Sequence, residues 1–175
     1  VGEELISLLQ PACERIEIAG SVRRNRPLVG DIELLIVPRS VMDRPVRALI
    51  GGELGWLPGE SRILELMEHG ILGYRLNKKG GKTYGPLNKL LIHVPSGIPV
   101  DLFSTTLENW GMAMVVRTGP REFNIKMMSR FKALGCQGHA YAGVTDQQGA
   151  ELACATEEEV FRFLGWPYRA PQARF

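Results

Sequence analysis

The sequence predicts an α+β fold in two lobes. Of its 175 residues, 45% are hydrophobic, which suits a folded globular chain. Short apolar or alternating runs that are typical of strands lie at residues 15–19, 32–37, 87–94 and 98–103. Stretches with apolar residues at helical spacing lie at residues 2–12, 120–134 and 156–164. We therefore expect a mixed sheet with helices over residues 1–106 and a small C-terminal α/β lobe over residues 107–175.

The first lobe is predicted to begin with a helix and two strands. Apolar residues at helical spacing predict a short helix over residues 2–12. The alternating run at residues 15–19 leads directly into Gly20-Ser21, which places a tight turn at the end of a strand, where ligands are often bound. Residues 32–37 are apolar and rich in β-branched side chains, as in a buried strand.

The middle of the chain predicts helices followed by further strands. Ser40 is positioned to cap a helix over residues 41–50, and a second short helix is predicted over residues 62–68. Residues 74–77 then predict a strand that runs into a basic, glycine-containing hairpin tip at residues 78–82. Together with the two strands that follow, this gives a sheet with both acidic strands in its centre.

The C-terminal lobe is predicted to hold three helices and a hairpin. The first helix is expected over residues 105–116 from its capped start. Pro120 occupies a permitted first-turn position of the helix over residues 120–134. A small hairpin is expected within residues 137–153. The final helix, over residues 156–164, begins with three glutamates, which are favourable near the positive end of the helix dipole.

Composition and charge exclude several classes of protein. No apolar run reaches the length of a membrane span and no secretory signal is visible, so we expect no membrane partner. The net charge is only +2, so DNA contact should come from local basic patches rather than from a global field. The three cysteines, Cys13, Cys136 and Cys154, are widely spaced, which favours buried thiols in a reducing, cytoplasmic compartment. We expect a monomer.

A pair of carboxylates opens the second strand. Residues i and i+2 of a strand point to the same face, so Asp31 and Glu33 project side by side. Two adjacent carboxylates repel each other unless a cation lies between them. About ten residues upstream, the amides and hydroxyl of Gly20-Ser21 could cradle an anion, with arginines close by. A cation site and a polyanion site this close in sequence suggest a metal-bound nucleoside triphosphate.

Four motifs occur in order along nearly the whole chain. They are Gly20-Ser21-Val22-Arg23-Arg24 with Gly30-Asp31-Ile32-Glu33, then Val100–Phe103, then Arg117-Thr118-Gly119-Pro120 with Phe123-Asn124, and finally Gly165–Pro171. Together they resemble the family X DNA polymerases, the group of DNA polymerase beta. The first motif alone is typical of a wider superfamily of nucleotidyltransferases. The Thr-Gly-Pro turn and the Trp-Pro-Tyr-Arg tail are much more specific.

The resemblance implies an active site with two metal ions. Asp31 and Glu33 would share the nucleotide-associated Mg²⁺, and Asp31 would bridge to a second Mg²⁺ completed by Asp101; Mn²⁺ is an alternative ion. Many relatives carry Asp where this chain has Glu33, which keeps the charge but moves the carboxylate. Spacing alone leaves another interpretation open, in which the three acids end strands and form ordinary surface ion pairs.

The resemblance also implies a nucleotide pocket. Four residues match the positions that contact the triphosphate: Gly20, Ser21, Arg24 and Gly30. Thr118 and Gly119 match the turn that lines the sugar pocket, and Asn124 matches the residue that reads the minor-groove edge of the incoming base. Val116-Arg117 stands where many relatives carry two aromatic residues.

Basic residues outside these motifs are candidates for DNA binding. Lys78, Lys79 and Lys82 on the glycine hairpin could hold template phosphates, and a solvated loop is the alternative. For Arg23 and Arg26, solvated surface charge and a contact with DNA or phosphate are both open.

The sequence therefore predicts a template-directed DNA polymerase that adds dNTPs to a primer 3′ hydroxyl. Its substrate would be primer–template or gapped DNA, and the short chain, with no N-terminal lyase domain expected, favours gap filling in DNA repair. One alternative is a non-templated nucleotidyltransferase acting on RNA, protein or a small molecule, which the Thr-Gly-Pro turn disfavours. The other is a catalytically silent DNA-binding module, which three acids beside a polyanion disfavour.

Overall fold

Two compact units make up the chain, and each is built from two stretches of sequence. A computed structural model describes residues 1–39, 48–50, 53–55, 60–141 and 143–174. The first unit comprises Val1–Glu17 and Gly30–Ser104, and the second comprises Ile18–Val29 and Thr105–Phe175. Residues 18–29 thus group with the C-terminal part of the chain, although they lie within the first predicted lobe.

The described residues contain six α-helices and ten strands. Up to residue 104 they are α1 (Gly2–Leu9), β1 (Cys13–Ile18), α2 (Gly20–Arg23), β2 (Ile32–Pro38), β3 (Ala48–Ile50), β4 (Glu53–Gly55), α3 (Glu60–Glu68), β5 (Leu72–Tyr74), β6 (Asn88–His93) and β7 (Ile98–Ser104). Beyond it they are α4 (Trp110–Thr118), α5 (Arg121–Ala133), β8 (Gln137–His139), β9 (Gly143–Thr145), β10 (Glu151–Leu152) and α6 (Glu157–Phe163). Single turns of 3-10 helix span Gln10–Ala12 and Pro171–Ala173.

A mixed five-stranded sheet forms the centre of the first unit. Its strand order is β1-β2-β7-β6-β5. Strands β2 and β7 run parallel, whereas β6 runs antiparallel to both β7 and β5. The two strands with acidic residues are therefore neighbours inside the sheet, as predicted. The mixed sheet together with the helices confirms the predicted α+β class.

Burial along the strands follows their sequence pattern. All four side chains from Leu34 to Val37 on β2 are buried, as the continuous apolar run predicts. Strand β6 instead alternates, and its buried positions are Lys89, Leu91 and His93. One face of β6 therefore belongs to the core, and the other face is partly exposed.

A lysine lies on the buried face of this sheet. The side chain of Lys89 is only 1% exposed, and its ammonium donates a hydrogen bond to the Gly85 carbonyl at 2.8 Å. Burial lowers the pKa of Lys89, and the negative charge of Glu60 acts in the opposite direction. A buried polar group with a hydrogen-bond acceptor and an opposite charge nearby is compensated for its desolvation. The burial of Lys89 is therefore explained by its hydrogen bond to Gly85 and by the charge of Glu60.

Aromatic side chains fill the core of the second unit. Phe123, Phe131 and Phe161 are each at most 1% exposed. Trp166 meets Phe123 edge-on, with 6.0 Å between ring centroids. Met128 is partly buried against the same core, as expected for a methionine at helical spacing.

Helix α6 begins with a capping box. The Thr156 hydroxyl accepts from the Glu159 backbone N–H at 3.2 Å, and the Glu159 carboxylate accepts from the Thr156 N–H at 3.0 Å. The helix predicted over residues 156–164 is thereby confirmed, with α6 as its observed extent. Strands β10, β9 and β8 form a small antiparallel sheet in the region where a hairpin was predicted.

The helix predicted over residues 41–50 is wrong at its end. Residues 48–50 form strand β3, which pairs antiparallel with β4. The predicted cap at Ser40 and residues 41–47 lie outside the described residues. The pairing with β4 gives the backbone of residues 48–50 interstrand hydrogen-bond partners, and this tertiary contact outweighed the helical pattern of the local sequence.

The helix expected from residue 105 begins later, at Trp110. Asn109 is its N-cap residue, but its side chain makes no capping hydrogen bond. The Met112 N–H donates instead to the Cys154 carbonyl at 3.2 Å. A neighbouring segment thus satisfies the first turn of α4, and this long-range contact has no signal in the local sequence.

The three cysteines are buried free thiols, as predicted. Burial raises the pKa of Cys13 and of Cys154 to about 11, so both thiols stay protonated at neutral pH. Within the described ranges, no helix combines the length and the apolar character needed to cross a membrane.

Candidate active site

Two of the three predicted metal ligands lie opposite each other on neighbouring strands of the first unit. In the parallel pair of β2 and β7, Glu33 is the register partner of Asp101. Register partners point to the same face of a sheet, so these two carboxylates share one face. Asp31 lies just before β2, two residues from Glu33, and is partly exposed. The register of the sheet thus joins acidic residues from two distant motifs.

An arginine reaches the same face from the next strands along the sheet. The Arg75 N–H donates to the Leu90 carbonyl at 3.1 Å, and Leu90 is the register partner of Asp101 on β6. Arg75, Leu90, Asp101 and Glu33 therefore form one row across the sheet. Nη2 of Arg75 donates to Oδ1 of Asp101. The side chains of this ion pair are 28% and 16% exposed, respectively.

The donor chemistry of this face fits a hard divalent cation. Mg²⁺ and Mn²⁺ prefer carboxylate oxygens, which Asp31, Glu33 and Asp101 all carry. Among the residues that the structure describes, no group of three or more potential ligands is arranged to hold a metal ion. The carboxylate of Asp101 is engaged by the Arg75 guanidinium instead. The ligand types of this face therefore fit the ion.

The predicted phosphate turn is one turn of helix in the second unit. Helix α2 begins at Gly20, whose φ of 64° lies in the left-handed region that favours glycine. The Arg24 N–H donates to the Gly20 carbonyl at 3.3 Å and closes the turn. Ser21 is partly buried beside it. The sequence placed this tight turn correctly at the end of β1.

Both arginines of this turn contact the end of α4. Nη1 of Arg23 donates to the Thr118 hydroxyl at 3.1 Å, and Nη1 of Arg24 donates to the Thr118 carbonyl. Thr118 is fully buried. Arg23 and Thr118 are 95 residues apart in sequence, so two motifs that were identified separately meet within one unit.

A buried carboxylate fixes Arg23. Glu157 accepts two hydrogen bonds from Arg23 and one from Arg174, each at 2.8 Å. Burial alone would raise the pKa of Glu157, but the hydrogen bonds from the two guanidinium groups outweigh it and lower the pKa. Glu157 therefore stays charged and orients the arginine that begins at the phosphate turn.

Asn124 closes the turn at Thr118-Gly119. Its Nδ2 donates to the Val116 carbonyl at 2.7 Å. A Cβ atom on Gly119 would lie 2.7 Å from Oδ1 of Asn124 and 3.1 Å from the Val115 carbonyl, so this close approach favours glycine. In the described part of the chain, no donor reaches the buried Oδ1 of Asn124. The turn therefore keeps an acceptor that is not used by its own residues.

An aromatic ring lies beside this turn, although the sequence has none directly before it. The guanidinium carbon of Arg117 is 4.7 Å from the ring centroid of Tyr141, within the range of a cation–π contact. Tyr141 lies between β8 and β9. The aromatic group thus comes from a distant segment, which sequence reasoning did not identify.

The glycine hairpin is folded around Asn77. Its side-chain oxygen accepts from the backbone N–H of Lys79 at 2.9 Å and of Gly81 at 3.1 Å. Lys78 and Lys79 are exposed at the tip. Nζ of Lys82 lies 4.0 Å from the ring centroid of Tyr74. The tip therefore presents positive charge from a defined backbone.

The predicted site residues divide between the two units. The carboxylates and the exposed Gly30 belong to the first unit, as do the lysines of the hairpin. The second unit contains the remaining nucleotide-binding candidates, which are Gly20, Ser21, Arg24, Thr118, Gly119 and Asn124.

Residues 113–175 match the family model of the DNA polymerase beta thumb. This thumb segment lies wholly within the second unit and contains Thr118, Gly119 and Asn124. The match supports a relationship to the family X polymerases and DNA binding by the thumb segment. Comparison with curated proteins gave no match.

Sequence reasoning missed the partners of the site residues. Glu157 was interpreted only as an acid that favours the start of a helix, and Arg75 and Arg174 received no role. Their contacts join residues far apart in the chain, up to 134 positions for Arg23 and Glu157. A pattern of local spacing carries no signal for such pairs.

Proposed function

We propose that this protein is a template-directed DNA polymerase that adds dNTPs to the 3′ hydroxyl of a primer. The observation that carries the proposal is the thumb match in a chain that also pairs Glu33 with Asp101 on adjacent strands. A thumb serves DNA binding, and paired carboxylates serve phosphoryl transfer. Primer–template or gapped DNA is the proposed substrate, and short gap filling in repair is the proposed task.

The first unit would supply the ligands for catalysis. Asp31, Glu33 and Asp101 would bind two Mg²⁺ ions, or Mn²⁺, through carboxylate oxygens. When bound, such ions stabilise charge on the attacking and leaving oxygens of an in-line displacement. The protein's own contribution is the parallel register of β2 and β7, which fixes the spacing of Glu33 and Asp101 before any ion arrives.

The second unit would bind the nucleotide. The amides of the turn at Gly20-Ser21 and the Arg24 guanidinium suit an anionic triphosphate. Gly30, the remaining triphosphate candidate, belongs to the first unit. The turn at Thr118-Gly119 would line the sugar pocket. The Asn124 carboxamide would test the minor-groove edge of the base, where acceptors occur on every base and report pairing geometry rather than identity.

The hairpin lysines would add contacts with DNA phosphates. Lys78 and Lys79 are exposed, and Lys82 lies over Tyr74. The three lysines are close in sequence and their ammonium groups repel one another, so binding of a DNA phosphate between these groups would reduce that repulsion.

A second candidate function is a DNA-binding module without catalysis. It is favoured by the ion pair of Asp101 with Arg75 and by the absence of a three-ligand metal group among the described residues. The thumb match is compatible with this function too, because a thumb binds DNA.

Primer extension in Mg²⁺ with single dNTPs distinguishes these functions. The wild type should add the complementary nucleotide to a recessed primer, and Asp101→Asn should reduce incorporation to background. Glu151→Gln, which neutralises an exposed carboxylate elsewhere, is the control. Asn124→Ala should lower the efficiency of dNTP use by about a hundredfold through misplacement of the nucleotide.

Each rival function gives its own result in this assay. Addition of nucleotides without regard to the template base would favour a non-templated nucleotidyltransferase. DNA binding without any incorporation would favour the silent module.

A further inference from the structure

The contact of Arg75 with Asp101 places an internal positive charge on a proposed cation ligand. Asp101 and Glu33 are register partners on adjacent strands, so their two negative charges repel each other. The Arg75 guanidinium offsets this repulsion at Asp101. Because both members of the ion pair are mostly shielded from water, at 28% and 16% exposure, salt and solvent screen it less than a surface pair.

The Arg75 guanidinium does not form the two parallel hydrogen bonds that it could form with a carboxylate. Nη2 of Arg75 donates to Oδ1 of Asp101, whereas the buried Nε has no acceptor in the described part of the chain. A guanidinium binds a carboxylate best through two parallel hydrogen bonds. Arg75 therefore neutralises Asp101 without a bidentate pair of hydrogen bonds. An ion that binds the same carboxylate oxygen has to break a weaker contact than a bidentate one.

We propose that Arg75 is the resident counter-cation of Asp101, which competes with a divalent cation for this carboxylate and is displaced when the cation binds. The proposal rests on the cation site of the proposed function and adds a residue that lies outside the sequence motifs. Without the cation, Arg75 holds the charge balance of the sheet face. With it, the carboxylate oxygens turn to the ion and the guanidinium is released.

Charge and distance decide the direction of this exchange. Mg²⁺ carries two charges and binds carboxylate oxygen at about 2.0–2.1 Å, whereas a guanidinium carries one charge and donates at about 2.7–2.9 Å. The ion therefore prevails once its concentration is sufficient. Arg75 raises that concentration for an ion at Asp101, since such an ion must first displace the guanidinium.

Mn²⁺ binding to the full chain, without DNA or nucleotide, tests the proposal. Free Mn²⁺ is counted by its electron paramagnetic resonance signal during a titration. Arg75→Gln should bind Mn²⁺ about tenfold more tightly than the wild type, because the competing charge is gone. Arg62→Gln is the matched control: Arg62 pairs with Glu65 at 2.7 Å in the same unit, and its loss should change Mn²⁺ affinity by less than about twofold.

Thermal unfolding gives a second measurement, which separates competition from a merely structural role. Without cation, Arg75→Gln should unfold at a lower temperature than the wild type, because Asp101 then repels Glu33. Saturating Mn²⁺ should raise that temperature by more in the variant than in the wild type, since tighter binding to the folded state stabilises it more. A purely structural role predicts lower stability with unchanged Mn²⁺ affinity. Arg75→Met, whose apolar stem can lie on Leu90, gives the same comparison if the glutamine variant does not fold.

The outcomes judge this proposal separately from the polymerase function. Equal or weaker Mn²⁺ binding by the Arg75 variants, or no binding by any variant, overturns the role of Arg75. If the wild type extends a primer by the template and Arg75→Gln binds Mn²⁺ with unchanged affinity, the polymerase function is supported and the competition by Arg75 is rejected. If Arg75→Gln binds Mn²⁺ more tightly but the wild type does not extend a primer, the competition by Arg75 is supported and the polymerase function is rejected.

Discussion

Single residues carry much of the organisation of the second unit, and Glu157 is the clearest case. Its carboxylate is 8% exposed and faces two guanidinium groups, of which that of Arg174 is fully buried. A buried charge is costly unless it is paired and hydrogen-bonded, and Glu157 meets both conditions. Because Arg23 also contacts Thr118, the Glu157 carboxylate stabilises the contact between the motif that contains Arg23 and the motif that contains Thr118.

Glu157→Gln should therefore destabilise the protein by about 3 kcal/mol, because it leaves the buried Arg174 guanidinium without its counter-charge. Urea unfolding at neutral pH, followed by circular dichroism, measures this change. Glu158→Gln is the control, since it makes the same substitution at an exposed neighbour. Equal stability of the two variants would show that Glu157 contributes no more than a surface acid.

The contacts of Glu157 with the two guanidinium groups should make the stability of the protein depend on pH. The pKa of Glu157 is lowered in the folded protein from its ordinary value of 4.5, so the unfolded chain binds the proton more tightly. The contribution of the charged carboxylate is complete above that value and is lost as the pH falls through the folded pKa. The stability difference between wild type and Glu157→Gln should thus be constant from neutral pH down to about pH 5 and shrink below about pH 4. A difference that stays constant in acid would contradict the lowered pKa.

The sequence identified the backbone positions of the site better than its side-chain contacts. Gly20 was identified from its tight turn and Gly119 from the family resemblance, and the structure adds a left-handed φ at Gly20 and a close approach at Gly119. Asn124 was assigned to base reading, and the structure adds a local task, since its amide binds the Val116 carbonyl. Arg75 could not be found, because its role depends on the register of three strands.

At the scale of elements, the start of α4 depends on close packing between two backbones. A Cβ atom on Gly111 would lie 2.1 Å from the Thr156 carbonyl oxygen and 2.7 Å from that of Cys154. Neither is the flexible end of a side chain, so neither can give way easily. The segment that caps α6 thus rests directly on α4.

Gly111→Ala tests this packing and sets two effects against each other. Alanine is the better helix former by about 1 kcal/mol, but the clash with two backbone carbonyls should cost about 3 kcal/mol. We expect a net loss of stability, measured as a lower thermal midpoint. Gly30→Ala is the control, because an added Cβ there meets nothing within 4 Å. A Gly111→Ala variant as stable as the wild type would refute the contact.

Elements with strong periodicity were predictable, and elements defined by distant contacts were not. Strand β2 and helices α5 and α6 follow from apolar runs, helical spacing and capping residues. Helix α4 begins five residues later than predicted, since its first turn is completed by Cys154 rather than by a local cap.

At the scale of the whole molecule, DNA binding has to arise from local charge, because the net charge is only +2. Lys78 and Lys79 are exposed on a tip whose backbone is fixed by Asn77. Charges on a fixed backbone lose less entropy on binding than charges on a free loop.

The double variant Lys78→Ala, Lys79→Ala should weaken DNA binding and reduce its salt dependence. If each lysine neutralises one phosphate of duplex DNA, the slope of log K against log salt should fall in magnitude by about 1.8. Fluorescence anisotropy with labelled primer–template across a salt series measures this slope. The matched variant Lys78→Arg, Lys79→Arg keeps the charge and should keep the slope. An unchanged slope in the alanine variant would indicate that the hairpin does not contact DNA.

The assembly of the second unit from two stretches of chain has a consequence for synthesis. Residues 18–29 leave the ribosome well before Glu157, the carboxylate that binds Arg23 and follows it by 134 residues. The five-stranded sheet of the first unit can form in the meantime, because its last strand ends at Ser104. Residues 18–29 therefore emerge before the rest of their own unit has been made, and their docking onto residues 105–175 is a late step of cotranslational folding. On ribosomes stalled before residue 157, a protease should cut this segment that it spares in the finished protein.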